Sequence, residues 1–447
     1  MTLDAASARQ APGLLLTTVG LLGFAAFAIL EYADHRLYAW AIDLWSFHPA
    51  SKPFFDLDAP LAWIRDWRAG LDVYRHAPPD AHGWMANYSP LLLRLPLPWS
   101  TPDSTPLYGP ILDVLFLLTL ALLPRPRTRT DAAAMLLALL SPLCVFALER
   151  GNLDLLMFAL VALGVAGLEG GLPARVAAYG AILAAALLKL YPAVALLLLL
   201  RERRAVFLPI ATVLAALLAL FVLVYHDELR LMAANLPITS PFGDIFAALQ
   251  LPTGFVFFEH ALRGMGRVYD ELDEVAFVGS VAVLDGVALI CALRISRSPA
   301  LRQALASLSG RESICLTVGA AIMTGCFFTG ANVGYRAVHL LFVLPGMLAL
   351  ARLADQTRLA RRMRALIAGS LLLMWSPPFL RLILHVAGRF WIVGVGMTIH
   401  PISGLIGGGG FWLLREAMWW TLMIFLLAVV IRTIETSPLW ASAPSTR

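Results

Sequence analysis

Apolar residues occur along this chain in long runs that are separated by short polar stretches. A helix that crosses a membrane needs roughly 20 mostly apolar residues, and most of the runs approach or reach that length. Within lipid, a segment satisfies its own backbone hydrogen bonds only as a helix or in a closed barrel. The pattern therefore predicts an all-α polytopic membrane protein, with about twelve transmembrane or half-membrane helices. The runs cover residues 14–30, 106–123, 132–148, 153–168, 176–188, 190–200, 205–225, 275–293, 313–330, 337–351, 365–383 and 416–431.

Two neighbouring runs, 176–188 and 190–200, are each too short to cross a bilayer upright. A hairpin that turns at 189–192, where a proline interrupts helical hydrogen bonding, keeps Arg175 and the basic cluster at 201–204 on one side of the membrane. A single continuous helix is the alternative, and it would place these basic residues on opposite sides. The sequence favours the hairpin, since broken helices of this kind usually line a cavity within the protein.

The composition agrees with a membrane protein. Hydrophobic residues make up 60% of the chain and charged residues 14%, and the mean hydropathy is +0.77. Soluble domains are about 45–50% apolar and about 25% charged. Too few charged side chains are present to cover a water-facing surface, which argues against a soluble enzyme, a disordered protein and a nucleic-acid-binding protein. The net charge of +5 does not indicate nucleic acid, because basic residues of membrane proteins mark the cytoplasmic side.

The basic residues also predict an orientation. Arginines are concentrated in the short loops that lie inside if the N-terminus is cytoplasmic, which places both termini in the cytoplasm. A single integral membrane domain over 1–447, multi-pass in a bacterial inner (cytoplasmic) membrane, fits this pattern. The three long outer regions are 33–105, 226–274 and 384–415. In the last of them, His400-Pro401 and the glycines at 407–410 predict a re-entrant turn.

No motif of a soluble enzyme and no cysteine spacing typical of a metal site occurs in the sequence. Any chemistry must come from polar residues near the membrane surfaces, where they are costly to place. The first outer region holds two neighbouring aspartates, Asp56 and Asp58. A positioned carboxylate can take the proton from a sugar hydroxyl while a new bond forms. The alternative is that these acids are solvated surface charge.

Three further polar groups stand beside apolar runs. Their basic residues could bind an anionic ligand such as a lipid phosphate. The alternatives are ion pairs that hold a turn together, a lysine that snorkels to the surface, and an arginine that anchors the interface. The groups are Glu149, Arg150, Asn152 and Asp154; Lys189 and Tyr191; and Asn332, Tyr335, Arg336 and His339.

Four motifs stand in a defined order between about residues 14 and 350: Asp56-Leu57 with Gly70-x-Asp72-x-Tyr74 and Tyr88-x-Pro90; Glu149-Arg150-Gly151-Asn152-x-Asp154; Lys189-Leu190-Tyr191-Pro192; and Asn332-x-x-Tyr335-Arg336. The first three resemble the polyprenyl-phosphate-mannose-dependent glycosyltransferases of family 87, multi-pass enzymes of the GT-C superfamily, and the fourth resembles a motif of bacterial relatives in the same superfamily. The stretch after Asp56 departs from the family pattern, since Asp58, Ala59 and Pro60 stand where a tyrosine is usual.

The resemblance implies a GT-C-like fold and an inverting transfer of a sugar, mannose or another hexose. The donor would be a polyprenyl-phosphate sugar and the acceptor a glycolipid or polysaccharide at the periplasmic surface of the bilayer. Asp56 would be the catalytic base, with Asp58 in reserve. Lys189, Arg150 and Arg336 would hold the donor phosphate as charge develops on it. The substrate-lining residues would be Tyr88, Glu149, Asn152, Asp154, Tyr191, Asn332, Tyr335 and His339.

The resemblance implies no cofactor and no metal, although Asp56-Leu57-Asp58 has the form of a metal-binding DxD pair. Two other classes of function remain open, namely a lipid-linked-sugar flippase or transporter and a structural subunit. Transporters often contain inverted repeats and charged residues at mid-membrane. Here the polar residues are instead concentrated at the predicted outer interface, which favours the transferase.

Overall fold

The computed structural model describes residues 14–46, 52–236, 245–263, 271–353, 358–383 and 401–440. The structure is 80% helical with almost no strand, which confirms the all-α class. In chain order the helices are α1 (Leu14–Ala33), α2 (His35–Asp43), α3 (Asp58–Arg68), α4 (Pro90–Leu93), α5 (Thr105–Thr119), α6 (Arg129–Leu139), α7 (Pro142–Arg150), α8 (Asp154–Gly167), α9 (Leu172–Leu188), α10 (Arg204–Val224), α11 (His226–Ala234), α12 (Gln250–Arg263), α13 (Glu271–Ser296), α14 (Pro299–Ala306), α15 (Gly310–Thr329), α16 (Leu340–Leu353), α17 (Arg358–Met374), α18 (Ser376–Ile383) and α19 (Pro401–Glu435).

Short 3-10 helices and one pair of strands complete the described elements. The strands β1 (Ile245–Phe246) and β2 (Asn332–Val333) pair antiparallel. The 3-10 helices are Phe55–Leu57, Pro79–Ala81, Pro102–Ser104, Leu120–Leu122, Tyr191–Arg201, Gly334–His339 and Pro438–Trp440.

Seven helices of the described residues are long and apolar enough to cross a membrane. The pairs α6–α7 and α17–α18, bent by 45° and 64°, raise the number of candidate spans to nine. Three shorter apolar helices, α8, α9 and Tyr191–Arg201, bring the apolar helical segments to twelve. Each corresponds to one of the runs in the sequence. The seven long spans are Leu14–Ala33, Pro102–Leu122, Arg204–Val224, Glu274–Ser296, Gly310–Thr329, Gly334–Leu353 and Gly410–Trp440.

The predicted hairpin at 189–192 is confirmed. α9 and the 3-10 helix Tyr191–Arg201 pack against each other, and the Tyr179 hydroxyl donates to the carbonyl of Leu198 at 3.3 Å. At their far ends, Arg175 forms an ion pair with Glu202 at 2.5 Å. This contact requires the chain to reverse, which excludes a single continuous helix.

The predicted re-entrant turn at 407–410 is wrong, since α19 continues through these glycines from Pro401 to Glu435. Each glycine costs a helix about 1 kcal/mol relative to alanine. An interrupted backbone within lipid would leave polar groups unsatisfied at several kcal/mol each, so the continuous helix is favoured. Residues 384–400 of the predicted last outer region lie outside the described residues.

α15 and α16 form the centre of the bundle. Their membrane windows are 78% and 83% buried, whereas only 11% of the windows in α10 and α13 is buried. A second, smaller apolar cluster lies in the first outer region, where Trp63, Tyr74 and Leu93 pack with Met232 of α11. This cluster anchors the segment that carries Asp56 above the helices.

The two ends of the helix bundle contain different sets of charged residues. In the first turn of α15, Glu312 pairs with Arg127 at 3.0 Å, and in its last turn Cys326 contacts Arg336. The end near Glu312 also holds the Arg175–Glu202 pair, so the arginine-rich loops meet there as the sequence predicts. Which side of a membrane this end faces stays a prediction.

Candidate active site

A tight turn between α7 and α8 forms the centre of the site. Gly151 ends α7 at φ +59°, a left-handed conformation that glycine adopts without strain. A Cβ at this position would meet Cβ of Phe54 at 3.0 Å, so the neighbouring segment packs directly on the glycine. The N–H of Asn152 donates to the carbonyl of Ala147, and the turn leads at once into Asp154 at the start of α8.

The segment that carries Asp56 is held against this turn. The N–H of Phe54 donates to the carbonyl of Glu149 at 2.7 Å. Phe54 itself has φ +62°, which is rare for a bulky residue. Its ring lies so close to α5 that a Cβ on Gly109 would fall 2.2 Å from it. These contacts fix the 3-10 turn that presents Asp56.

The Asp56 carboxylate is 19% exposed and has a neutral hydrogen-bond donor. The side-chain amide of Asn152 donates to its Oδ2 at 3.0 Å, and Arg150 Nη1 lies 3.9 Å from its Oδ1. Burial raises the pKa of Asp56 above its usual value, while the Asn152 hydrogen bond and the Arg150 charge act to lower it. The net direction is upward, which makes the ionised carboxylate a stronger proton acceptor than an exposed aspartate.

Asp154 holds two cations in a buried cluster. It is fully buried, with Lys189 Nζ 2.7 Å from its Oδ1 and Arg336 Nε 3.2 Å from its Oδ2. Lys189 also lies 4.5 Å from the centre of the Tyr88 ring, and the Arg336 guanidinium lies 4.1 Å from that of Tyr191. One carboxylate between two cations leaves a surplus positive charge, which suits a monoanionic ligand.

Asn152 joins the carboxylate of Asp56 to this cluster. Its side-chain oxygen accepts from the N–H of Asp154 at 3.0 Å while its amide nitrogen donates to Asp56. A carboxylate that can accept a proton and a pair of cations therefore belong to one hydrogen-bonded unit. This arrangement can hold a phosphate at one end and take a proton at the other.

Arg150 lies on the other side of Asp56. Its Nε is 3.0 Å from Oε2 of Glu149, and its guanidinium packs 5.0 Å from the Phe146 ring centre and 5.7 Å from that of Phe55. These contacts place Arg150 beside the carboxylate of Asp56, with Glu149 as its nearer acidic partner.

The remaining aromatic candidates also lie in this region. The Tyr191 hydroxyl and Nε2 of the buried His339 are 2.8 Å apart. The ring of Tyr335 lies 5.9 Å from that of Phe146. The structure thus brings together most of the predicted residues, namely Asp56, Tyr88, Glu149, Arg150, Asn152, Asp154, Lys189, Tyr191, Tyr335, Arg336 and His339.

Asp58 and Asn332 have other partners. The Asp58 carboxylate is buried, accepts from the hydroxyl of Thr105 at 2.7 Å and pairs with Lys52 at 2.9 Å. Its second oxygen lies 3.3 Å from His82 Nε2. The Asn332 amide donates to the carbonyls of Cys326 and Gly330, which closes the loop before the Gly334–His339 helix.

Three residues that contact the site were missed from the sequence. Phe55 and Phe146 flank Arg150, and the sulfur of Cys326 lies 3.5 Å from Arg336 Nη1. Phe146 precedes Arg150 by one helical turn, a spacing that could have indicated the contact. Cys326 sits in an apolar run and carries no such signal. Among the residues that the structure describes, no group of three or more His, Cys, Asp or Glu side chains could hold a metal ion.

Comparison with known proteins gives one match. No curated protein and no solved structure matches the chain. The family model of glycosyltransferase family 87 matches residues 92–317. The matched half of the chain contains the turn at 149–154 and the hairpin at 189–192, two of the motifs on which the resemblance rests. The chain therefore belongs to glycosyltransferase family 87.

Proposed function

We propose that this glycosyltransferase moves a sugar, mannose or another hexose, from a polyprenyl-phosphate donor to a glycolipid or polysaccharide acceptor, with inversion at the anomeric carbon. The transfer takes place at the periplasmic surface of a bacterial inner membrane. The observation that carries the proposal is the hydrogen-bonded unit in which Asn152 joins Asp56 to the cations held by Asp154.

The cation pair is suited to the donor phosphate. A sugar phosphodiester carries one negative charge, which matches the surplus charge of Lys189, Arg336 and Asp154. Lys189 has three N–H donors and Arg336 five, so both keep donors for a ligand beside those directed at Asp154. When the sugar leaves, the phosphate gains a second negative charge. Cations fixed in a site with little water stabilise that charge more in the transition state than in the ground state.

The transfer is a single displacement. The acceptor hydroxyl oxygen attacks the anomeric carbon as the bond to the phosphate oxygen breaks, and the electron pair of that bond stays on the phosphate. The hydroxyl proton passes to Asp56. Because the nucleophile enters opposite the leaving phosphate, one displacement inverts the anomeric centre.

Between the two aspartates, Asp56 has the geometry of a base. Its carboxylate is partly exposed and has one close donor, Asn152. Asp58 is buried and has Lys52, Thr105 and His82 as partners, so the proposal gives it a role in holding the outer region. Arg150 contacts Asp56 and Glu149, and the proposal gives it a positioning role beside the base.

A variant of the proposed base tests this function. Asp56→Asn keeps the shape of the side chain but removes its proton-accepting charge. We expect transfer from radiolabelled polyprenyl-phosphate mannose to extracted membrane lipids, in reconstituted protein, to fall at least about 100-fold, the contribution typical of a general base. Asp103→Asn is the matched control, since Asp103 is exposed in the same outer region, and it should leave transfer unchanged.

Full transfer by the Asp56→Asn protein would remove Asp56 from the base role. Donor crossing the bilayer without any new glycosidic bond, in the wild-type protein, would contradict the donor and reaction proposed here and favour a flippase.

A further inference from the structure

A polar pocket lies at the end of the bundle that is opposite Asp56. It has a volume of about 350 Å³ and lies between the Tyr191–Arg201 helix, α14, α15 and α19. Tyr191 belongs to the candidate active site and Arg201 to this pocket. A 3-10 helix rises about 2 Å per residue, so the two sites are roughly 20 Å apart.

Three arginines line this pocket: Arg201, Arg302 and Arg432. Arg201 Nη1 donates to the hydroxyl of Ser313 at 3.0 Å, which is a neutral partner. Arg432 Nη1 lies 3.3 Å from Glu435, a partly exposed pair within one helical turn. The Arg302 guanidinium has neither a hydrogen bond nor an ion pair with any described residue. The pocket therefore holds more positive charge than the protein neutralises.

Other arginines at the same end are paired differently. Arg127, Arg175 and Arg311 each lie within 3.0 Å of a glutamate, and Arg352 pairs with Asp131. Glu202, which follows Arg201 in the chain, forms its ion pair with Arg175. These four arginines are thus neutralised by carboxylates, whereas Arg201 and Arg302 in the pocket have no ion pair with a described residue.

The rest of the lining fits a phosphate with an apolar attachment. Ser313 accepts from Arg201, so its own hydroxyl hydrogen is available to donate to an anion. On the side of the membrane core, Leu316 and Val429 provide an apolar wall. Basic pockets between membrane helices on the cytoplasmic side are a recurrent form of lipid headgroup site.

We propose that this pocket binds the phosphate of an anionic ligand through Arg201, Arg302 and Arg432. Two sources share this chemistry, a phospholipid headgroup of the adjacent leaflet and a soluble phosphate. The site is separate from the donor site, and the proposal does not depend on the glycosyl transfer proposed above.

The test uses the full-length protein in neutral detergent and measures the midpoint of thermal unfolding. The probes are dioctanoyl phosphatidylglycerol, dioctanoyl phosphatidylcholine and inorganic phosphate. We expect phosphatidylglycerol to raise the midpoint of the wild-type protein in a saturable way, and phosphatidylcholine to leave it unchanged, because a ligand that binds the folded state stabilises it.

Arg302→Gln should weaken this binding about fivefold, and the Arg302→Gln/Arg432→Gln double variant about 25-fold, since each arginine near a headgroup contributes roughly a factor of five. Arg302 has no described ionic partner, so its replacement breaks no ion pair of the fold. Arg203→Gln/Arg297→Gln is the matched control, because both residues are exposed arginines at the same end, outside the pocket.

If phosphatidylglycerol raises the unfolding midpoint and inorganic phosphate does not, the ligand of the pocket is a lipid headgroup. If both raise it, the pocket recognises the phosphate group itself. Equal weakening of phosphatidylglycerol binding in the pocket and control double variants would overturn the proposal. So would a wild-type protein whose unfolding midpoint responds neither to phosphatidylglycerol nor to inorganic phosphate.

Discussion

In the proposed mechanism, the protonation of the base Asp56 depends most directly on Asn152. Its amide is the nearest donor to Asp56, and its hydrogen bond lowers a pKa that burial raises. A base must be deprotonated to act, so transfer falls as the pH drops through the pKa of Asp56. Asn152→Ala removes a stabilising donor from the carboxylate and raises that pKa further. We expect the acidic limb of the pH–rate profile of transfer to move to higher pH than in the wild-type protein.

The shape of the profile separates this effect from damage to the turn. Asn152 also accepts from the N–H of Asp154, so its loss can lower the rate for structural reasons. A loss of the same size at every pH, with the limb unmoved, would contradict the role assigned to the Asn152 hydrogen bond. The Asp103→Asn protein should keep the wild-type limb.

Asp154 explains how Lys189 and Arg336 can be buried side by side in the site. A buried lysine or arginine without a partner would be strongly destabilising, and Asp154 provides the partner for both Lys189 and Arg336. Two cations on one carboxylate remain only partly compensated. Asp154 therefore stabilises the buried cations in the folded protein, and the proposal assigns their remaining positive charge to the donor phosphate.

At the scale of the helices, the packing of α5 against the segment that carries Asp56 can be tested by substituting Gly109. Gly109 lies under the Phe54 ring, and a Cβ there would fall 2.2 Å from the ring. Gly109→Ala should displace the segment that carries Asp56 and destabilise the protein by about 1–3 kcal/mol, as overpacking typically does. We expect a marked loss of transfer with the helix content by circular dichroism preserved.

Gly180→Ala in α9 is the matched control, because a Cβ there meets nothing within 4 Å. This substitution should leave transfer intact and be neutral to slightly stabilising, since alanine favours a helix over glycine. Wild-type transfer by the Gly109→Ala protein would show that the position of the segment does not depend on this contact.

The whole molecule has an arginine-rich end and an end that holds Asp56, and the positive-inside pattern predicts that the first faces the cytoplasm. The native cysteines lie in apolar helices, three of them buried. Cysteines introduced at the exposed positions Asp103 and Arg203 therefore report on opposite ends. In intact cells made permeable only at the outer membrane, we expect an impermeant maleimide to label Asp103→Cys, and to label Arg203→Cys only after the inner membrane is opened.

The reverse labelling pattern would place the candidate site in the cytoplasm and contradict a periplasmic reaction. A parent protein that retains its four native cysteines provides the background for both measurements.

The sequence by itself determined the helical segments and much of the candidate site. A backbone in lipid must bond to itself, so apolar runs of sufficient length report the helices directly, and each of the twelve runs has its helix. The short length of the two runs, the basic residues at 175 and 201–204, and Pro192 were enough to predict the hairpin. The residue types of the site could be recognised because charged groups next to apolar runs are costly and therefore conspicuous.

Only the tertiary structure decided how these residues meet. Asp56 and Asp58 stand two positions apart in the sequence and have different partners. Asn152, 96 positions further along the chain, contacts Asp56, while Lys52, His82 and Thr105 surround Asp58. Likewise, Arg336 reaches Asp154 across 182 positions. The continuity of α19 through its glycines and the pocket of three arginines depend on such packing too. Hydropathy and spacing are local properties, whereas the choice of partner depends on which helices pack side by side, and the linear pattern does not specify this.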